Sequence, residues 1–297
     1  MRTLWISIAV MAAITPAGAF ADVQQLTRSD GSVIRYSLDV PPDGSEGLLI
    51  LAQGSGCEPA IGSANLATVR AAFPQYSALI VENAGVTGSG DADQSDDLCS
   101  QEFVDTFTLT GRVQDYESVL EHLTKDGDAA AEIVLFGGSE GGLAMEMLAS
   151  RLQPKATIIV SGSVGTTFGD MVLASVPAEG RPVVEAGFAD ARANPNSDMF
   201  SGHTKRFWAD ALDHRSSDYL KATETPILLI YGGRDKGSSV QAARTLADSF
   251  AKEGRCNLVW WEFPGLDHGM ADPSGKSHLD RITNLASAWV EAPIPAC

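Results

Sequence analysis

Basic residues are scarce in this sequence. Its 297 residues include 21 Lys and Arg against 38 Asp and Glu, which gives a formal net charge of −17 at pH 7. An excess of acidic groups of this size repels the phosphates of nucleic acids and the anionic headgroups of membranes. We therefore expect no nucleic-acid partner and no docking on anionic membrane surfaces.

Long apolar runs are missing except near the N-terminus. Arg2 precedes an apolar run over 4–14, and Ala19-Phe20-Ala21 supplies small residues at the right spacing for cleavage. This pattern predicts a secretory signal peptide at 1–21, cleaved after Ala21. The run is shorter than the roughly 20 apolar residues that a membrane anchor needs. No Cys follows it that could carry a lipid. We expect a mature chain over 22–297 without a membrane span, periplasmic or secreted.

Cysteine is rare, and no two cysteines have the C-x-x-C spacing that zinc sites and thioredoxin-like motifs use. The chain contains Cys57, Cys99, Cys256 and Cys297. Four is an even number, and an exported protein meets an oxidising compartment, so we predict disulfides. Four cysteines allow three pairings.

The mature sequence has no internal repeat and no low-complexity linker. Short apolar runs alternate with helical patterns along 22–297, so we expect one domain. Fully apolar strands alternating with helices predict a mostly parallel sheet with helices on both faces. The predicted strands cover 33–40, 47–52, 78–81, 133–136, 157–160, 227–231 and 258–263. The predicted helices cover 64–73, 113–123, 143–148, 240–251 and 279–289.

One stretch breaks the alternation. Residues 161–224 are far longer than the roughly 2–6 residues of an ordinary strand-to-helix connection. The stretch mixes Pro, Gly and Asn with short helical pieces such as 204–212. We expect a small cap or lid inserted at 161–224, directly after the predicted strand at 157–160.

The sequence Gly137-Gly138-Ser139-Glu140-Gly141 fits the pattern G-x-S-x-G, directly after an apolar strand and at the start of a helix. In this context the pattern predicts a sharp turn that exposes a nucleophilic serine, Ser139. The helix N-terminus that follows aims backbone N–H groups at developing negative charge.

A nucleophilic serine requires a base that is held by an acid. Asp235 and His268 each follow a predicted strand, in the chain order Ser, Asp, His. The loops after parallel strands meet at one edge of a sheet, where ligands bind. Asp267 is a rival acid, but its adjacency to His268 makes a hydrogen bond to that ring awkward. The other histidines are predicted to be surface residues: His122, His203, His214 and His278.

These motifs resemble the α/β-hydrolase superfamily over 48–290. Three segments are similar to those of small bacterial esterases of the prolyl oligopeptidase and dienelactone hydrolase branch. They are the serine turn at 137–142, Gly233-Arg234-Asp235 and Asp267-His268-Gly269-Met270. The resemblance implies an α/β-hydrolase fold with about eight strands, and a serine hydrolase without cofactor or metal. No propeller domain precedes the catalytic segment, and the cysteine nucleophile of dienelactone hydrolase is absent.

Two backbone N–H groups are expected to form the oxyanion hole. One belongs to Glu140, the residue after the nucleophile, and the other to the loop after the strand at 47–52, which corresponds to the third strand of the hydrolase fold. In that loop Gln53-Gly54-Ser55 takes the place of His-Gly-x in many relatives, which makes the Ser55 N–H the second donor.

The hydrolase topology also implies a disulfide pairing, Cys57–Cys99 and Cys256–Cys297. Cys57 and Cys99 follow strands that finish at the same end of the sheet. Cys256 precedes the last strand, at the opposite end, to which the final helix returns Cys297. Crossed pairings would have to span about 15–20 Å of strand, whereas a disulfide joins Cα atoms about 4.4–6.8 Å apart.

Two further features, the aromatic residues of the cap and an acidic loop, each allow two interpretations. Phe200, Phe207 and Trp208 either line an acyl pocket in the cap or pack its helices. The polar loop with Asp91, Asp93, Ser95 and Glu102 matches four positions of a calcium-binding loop. However, Asp96 occupies the position of the required glycine, so we predict an acidic solvated loop.

The sequence therefore predicts an exported carboxylic-ester hydrolase that acts on a small ester or acyl substrate through an acyl-enzyme. A serine peptidase or amidase with the same residues is the nearest alternative. A catalytically silent binding protein on this fold is the second, although such a protein would not need a complete Ser-His-Asp set.

Overall fold

An eight-stranded sheet forms the centre of the computed structural model, which describes residues 22–87, 99–125, 132–236 and 240–293. Its strands are β1 (Gln24–Thr27), β2 (Val33–Asp39), β3 (Gly47–Ala52), β4 (Tyr76–Val81), β5 (Glu132–Gly138), β6 (Ala156–Val160), β9 (Ile227–Gly232) and β10 (Leu258–Phe263); a separate hairpin pairs β7 (Met199–Phe200) with β8 (His203–Thr204). The sheet order is β1-β2-β4-β3-β5-β6-β9-β10. The six strands from β4 to β10 in that order are parallel, and β2 pairs antiparallel with both β1 and β4. The predicted mostly parallel, eight-stranded sheet is confirmed.

Burial on both faces explains the composition of the central strands. Every residue of β4, β6 and β9 is buried, and side chains on such strands alternate between two covered faces. Leu49 of β3 pairs with Ala78 on one side and Val134 on the other, which fixes the register at the centre of the sheet.

Helices cover both faces of the sheet. They are α1 (Ala64–Ala71), α2 (Gln101–Thr106), α3 (Leu109–Thr124), α4 (Glu140–Leu152), α5 (Phe168–Ser175), α6 (Arg181–Ala193), α7 (Lys205–Ala211), α8 (Ser216–Ala222), α9 (Val240–Lys252) and α10 (Leu279–Glu291). Apolar residues of α3, α4 and α9 pack in one core cluster, and those of α1 and α10 in another. Among the described residues, no helix combines the length and apolar character that a bilayer crossing requires.

The chain between β6 and β9 contains helices α5 to α8 and the β7–β8 hairpin; we call this segment, 161–224, the cap. Aromatic side chains pack its centre: Phe207 contacts Phe168, and the Trp208 ring lies 4.8 Å from that of Phe188. The Trp208 Nε1–H also donates to the Phe200 carbonyl oxygen at 2.6 Å. Helix α8 packs against α4, which joins the cap to the sheet layer.

Two segments with sequence-based predictions lie outside the described residues. They are the predicted signal peptide at 1–21 and most of the acidic loop, including Asp91, Asp93, Ser95 and Asp96. Both remain predictions.

Candidate active site

Ser139 lies in a strained turn between β5 and α4. Its backbone has φ 52° and ψ −124°, a conformation that costs energy for a residue with a side chain. Two glycines make room for this turn. A Cβ on Gly137 would overlap the carbonyl oxygen of Gly141, and a Cβ on Gly141 would overlap that of Gln53. The Ser139 N–H donates to the Val160 carbonyl at 2.9 Å, which ties the turn to β6.

The structure brings the three predicted residues Ser139, His268 and Asp235 together. His268 Nε2 lies 3.2 Å from Ser139 Oγ, and His268 Nδ1 lies 3.0 Å from each carboxylate oxygen of Asp235. The Asp235 side chain is fully buried, while 40% of the His268 side chain is exposed. The rival acid, Asp267, instead accepts the N–H groups of Gly269 and Ala271 through Oδ1.

Backbone hydrogen bonds hold the two loops that carry Asp235 and His268. The Gly233 N–H donates to the Phe263 carbonyl and the Arg234 N–H to the Leu266 carbonyl, both at 2.9 Å. These bonds connect the loop after β9 to the loop after β10. The register of the neighbouring strands β9 and β10 thus fixes the carboxylate relative to the ring.

The hydrogen bond that His268 Nδ1–H donates to the Asp235 carboxylate is the main cause that raises the pKa of His268 above its ordinary 6.5. A carboxylate facing Nδ1 favours the tautomer with the proton on that nitrogen. Nε2 is then an acceptor directed at Ser139 Oγ. The geometry suits removal of a proton from the hydroxyl.

Both predicted oxyanion segments border the nucleophile. Gly54, in the loop after β3, passes so close that a Cβ there would lie 3.4 Å from Ser139 Cβ. Ser55 follows in the same loop, and Glu140 opens α4. Ser55, Ser139 and Glu140 line one common cavity.

Arg112 of α3 joins these two segments and was not predicted from the sequence. Its Nη2 donates to the Gln53 carbonyl at 2.7 Å, and its Nη1 lies 3.3 Å from Glu140 Oε1. Arg112 and Glu140 are both buried, each 3% exposed. Burial raises the pKa of Glu140 to about 7, although Arg112 opposes that rise.

Two cavities meet at Ser139. The His268 cavity, of about 300 Å³, extends toward α1 and α10; residues on its wall include Leu66, Val69, Phe136, His268, Met270 and Leu279. The cap cavity, of about 350 Å³, extends under the cap; residues on its wall include Ser163, Phe168, Met171, Val172, His203 and Trp208. Ser55, Ser139 and Ser161 border both. Of the three cap aromatics, Trp208 therefore lines a cavity as well as packing helices.

Two histidines correct the prediction of surface positions. Only 12% of the His203 side chain is exposed, because its ring stacks on Phe207 with 3.8 Å between ring centroids. His203 Nε2 lies 3.3 Å from Glu140 Oε2. His214 is half-buried, with Nδ1 2.6 Å from the Tyr219 hydroxyl. Hairpin and helix packing buries these rings, and local sequence did not indicate it.

A disulfide joins Cys57, two residues after Ser55, to Cys99, with Cα atoms 5.4 Å apart. It links the loop after β3 to the chain just before α2. Cys256 is also disulfide-bonded. Cys297 lies outside the described residues, so the pairing Cys256–Cys297 remains a prediction.

Several solved structures share this fold. Est1E from Butyrivibrio proteoclasticus is 16% identical with a TM-score of 0.58, and the alignment covers 91% of this chain and 97% of that one. A putative dienelactone hydrolase from Klebsiella pneumoniae subsp. pneumoniae MGH 78578 is 14% identical with a TM-score of 0.59, covering 91% and 98%. Acylaminoacyl peptidase from Pyrococcus horikoshii is 15% identical with a TM-score of 0.58, covering 92% of this chain but 41% of that one.

At such identities the likeness shows the fold alone, and no curated protein matches the sequence significantly. The family comparison goes further. Residues 49–276 match the model of the alpha/beta hydrolase family, a span that runs from within β3 past β10 and includes Ser139, Asp235 and His268. The chain belongs to the α/β-hydrolase family.

Proposed function

We propose that this hydrolase is a serine esterase that cleaves carboxylic esters of small molecules through an acyl-enzyme. The observation that carries the proposal is the continuous line from Asp235 through His268 to Ser139, with hydrogen-bond distances of 3.0 and 3.2 Å. A nucleophile, a base and an acid in this order are what acyl transfer requires.

In the first half-reaction Ser139 Oγ attacks the ester carbonyl while its proton passes to His268 Nε2. The carbonyl oxygen becomes an oxyanion, and the N–H groups of Ser55 and Glu140 stabilise it. When the intermediate collapses, the bond from carbon to the alcohol oxygen breaks. His268 returns its proton to that oxygen, so the alcohol leaves neutral and Ser139 keeps the acyl group.

In the second half-reaction water replaces the alcohol. His268 accepts a proton from the water molecule while the water oxygen attacks the acyl carbon. Collapse then breaks the bond to Ser139 Oγ, and His268 returns the proton to it. The products are a carboxylic acid and the regenerated serine. Asp235 keeps the ring oriented and stabilises its positive charge in both halves.

Small molecules are the proposed substrates because the two cavities at Ser139 have volumes of only about 300 and 350 Å³, and a carboxylic acid is bound in one of the structural relatives. Est1E has been described with ferulic acid bound. That ligand belongs to Est1E and supports only the general class of a small acyl group here. Export to the periplasm or outside the cell is part of the same proposal, supported by the N-terminal pattern and the Cys57–Cys99 disulfide.

The test combines active-site labelling with a substrate comparison. A fluorophosphonate should label the wild-type chain but not Ser139→Ala. The control variant is Ser118→Ala, which should still be labelled; Ser118 lies on α3 and its hydroxyl donates to the Gln114 carbonyl. p-Nitrophenyl esters of two to twelve carbons should be hydrolysed faster than aminoacyl p-nitroanilides. Absence of labelling would favour a silent binding protein, and faster anilide cleavage a peptidase or amidase.

A further inference from the structure

We infer that the cap cavity holds the acyl part of the substrate and that His203 selects acyl groups carrying a hydroxyl. The inference rests on the proposed ester hydrolysis and adds a substrate class to it. It begins from the different walls of the two cavities at Ser139.

The position of His268 distinguishes the two cavities. His268 must protonate the departing alcohol oxygen, so the alcohol has to leave on the side of the ring. His268 borders the His268 cavity, whereas the residues on the wall of the cap cavity do not include it. Ser55 and Ser139 border both, so the ester carbon lies where the cavities meet. The acyl chain then extends into the cap cavity.

The walls of the cap cavity combine an apolar passage with polar groups. Phe168, Met171 and Val172 supply apolar surface for an alkyl or aromatic chain. Ser161 and Ser163 also lie on the wall, and each is 2% exposed. Their hydroxyl oxygens have no hydrogen-bond partner among the described residues. Buried hydroxyls without a partner are costly, and a polar group on a bound acyl chain would satisfy them.

His203 provides the most specific polar group of this cavity. Burial lowers the pKa of His203 to about 4, so its ring is neutral at physiological pH. A neutral imidazole has one N–H donor and one acceptor nitrogen. His203 Nε2 lies 3.3 Å from Glu140 Oε2, and this carboxylate, when ionised at pH 8, favours the proton on Nε2. Nδ1 has no partner among the described residues and is left as an acceptor, which suits a hydroxyl donor on the substrate.

The test uses matched methyl esters of six- to eight-carbon ω-hydroxy acids. Each is compared with the ester in which a methyl group replaces the hydroxyl and with its ω-methoxy ether, which cannot donate. Hydrolysis is followed in a pH-stat at pH 8, above the pKa of Glu140. At the best chain length, we expect kcat/KM of the hydroxy ester to exceed that of both analogues by about tenfold, since a site built to bond a hydroxyl rejects analogues that cannot donate.

The decisive variant is His203→Phe, which keeps an aromatic ring against Phe207 but removes both nitrogens. It should lower the ratio of kcat/KM for hydroxy over methyl esters by about tenfold. The matched control is His122→Phe, at an exposed position of α3, and its ratio should stay within twofold of wild type. If His203→Phe does not fold, Ser163→Ala is expected to lower the same ratio several-fold.

The possible failures are distinguishable. Ester hydrolysis with equal kcat/KM for the hydroxy and methyl esters, or a ratio that neither His203→Phe nor Ser163→Ala changes, overturns the acyl selection and leaves the esterase proposal standing. A preference for the methoxy ether over the hydroxy ester overturns the assignment of Nδ1 as acceptor. Absence of fluorophosphonate labelling and of all ester hydrolysis overturns both proposals.

Discussion

Arg112 Nη2 donates a 2.7 Å hydrogen bond to the carbonyl oxygen of Gln53, two residues before Ser55. The same guanidinium lies 3.3 Å from Glu140 Oε1, and the backbone N–H of Glu140 is the other proposed oxyanion donor. One side chain of α3 thus contacts both segments of the proposed oxyanion hole, and it lines neither cavity at Ser139.

Arg112→Met should therefore reduce kcat more than it raises KM. We expect a loss of at most about 10²–10³ in kcat, the effect of losing one oxyanion donor. Stability should fall by about 3–5 kcal/mol, because the buried Glu140 loses the cationic partner that Arg112 supplies. Steady-state kinetics and urea denaturation measure the two effects.

Adding Glu140→Gln to Arg112→Met separates the effect on kcat from the effect on stability. The double variant should recover stability but not kcat, since the bond to Gln53 is still missing. Recovery of both would show that Arg112 acts only through folding stability.

Ser139→Ala, His268→Ala and Asp235→Ala should each lower kcat by about 10⁴–10⁶ while the circular dichroism spectrum stays native. The control is Asp267→Asn, because Asp267 accepts bonds within its own loop. Its loss should be far smaller. More than a few per cent of wild-type turnover in Ser139→Ala would contradict the nucleophile assignment.

The pH profile of kcat/KM should rise as His268 loses its proton, because only the neutral ring accepts the proton of Ser139. Since Asp235 raises the pKa of His268, the midpoint of this limb should lie above 6.5 in the wild type. Asp235→Asn should lower the midpoint and reduce the rate by about 10⁴.

Glu140 titrates in the same range, with its pKa raised to about 7. The pH profile of Glu140→Gln distinguishes the two groups. A midpoint that moves in Glu140→Gln but not in Asp235→Asn would assign the limb to Glu140.

Glu146 of α4 should make the protein less stable as the pH rises. Its carboxylate is fully buried, and burial raises its pKa well above 4.5, although the neighbouring Ser216 hydroxyl opposes that rise. The folded state therefore favours the protonated form. Stability should fall as the pH rises above about 4.5, where the unfolded chain releases this proton.

Glu146→Gln removes this dependence. Its unfolding free energy relative to wild type should increase between pH 4.5 and pH 8, by about 1–3 kcal/mol. Chemical denaturation at a series of pH values measures the difference. A constant difference across this range would mean that Glu146 is not held protonated.

Reduction of Cys57–Cys99 should lower kcat at a temperature where the protein is still folded, because the bridge anchors the loop that carries Ser55. The loss should be smaller than the 10²–10³ of a missing oxyanion donor. Loss of the crosslink should also cost about 2–5 kcal/mol of stability. Replacing Cys256 and Cys297 by Ser should lower stability and leave kcat unchanged.

Peptide mapping without reductant must first recover the pairs Cys57–Cys99 and Cys256–Cys297. A Cys57–Cys256 link would contradict the pairing. Full activity after verified reduction would contradict only the effect on catalysis.

Sequence reasoning succeeded where one local pattern carried the information. The strands β3, β6 and β9 could be predicted from their continuous apolar runs, because both faces of those strands are buried. The pattern G-x-S-x-G predicted the turn at Ser139, because few sequences can form such a turn. β1 was not predicted, since its four residues lie at an exposed sheet edge and are mostly polar.

The polar network around the nucleophile was also missed. Arg112, Glu140 and His203 come from three separate elements, and only the tertiary fold brings them together. A sign of it was present in the sequence: Arg112 lies directly before Val113 on the buried face of α3, where a charged side chain needs a partner. The identity of that partner could not be read from spacing along the chain.

The insertion point of the cap has a consequence for how this protein can diversify. β6 and β9 are adjacent strands, with Val160 paired to Ile230, so the chain leaves the sheet and re-enters it at neighbouring positions. Loops whose ends already meet tolerate changes of length at little entropic cost. Helices α7 and α8 pack on α3 and α4 and so tie the cap to the scaffold. Insertions or deletions in the part of the cap before α7 would change the wall of the cap cavity while the strands that carry the reactive residues stay in place.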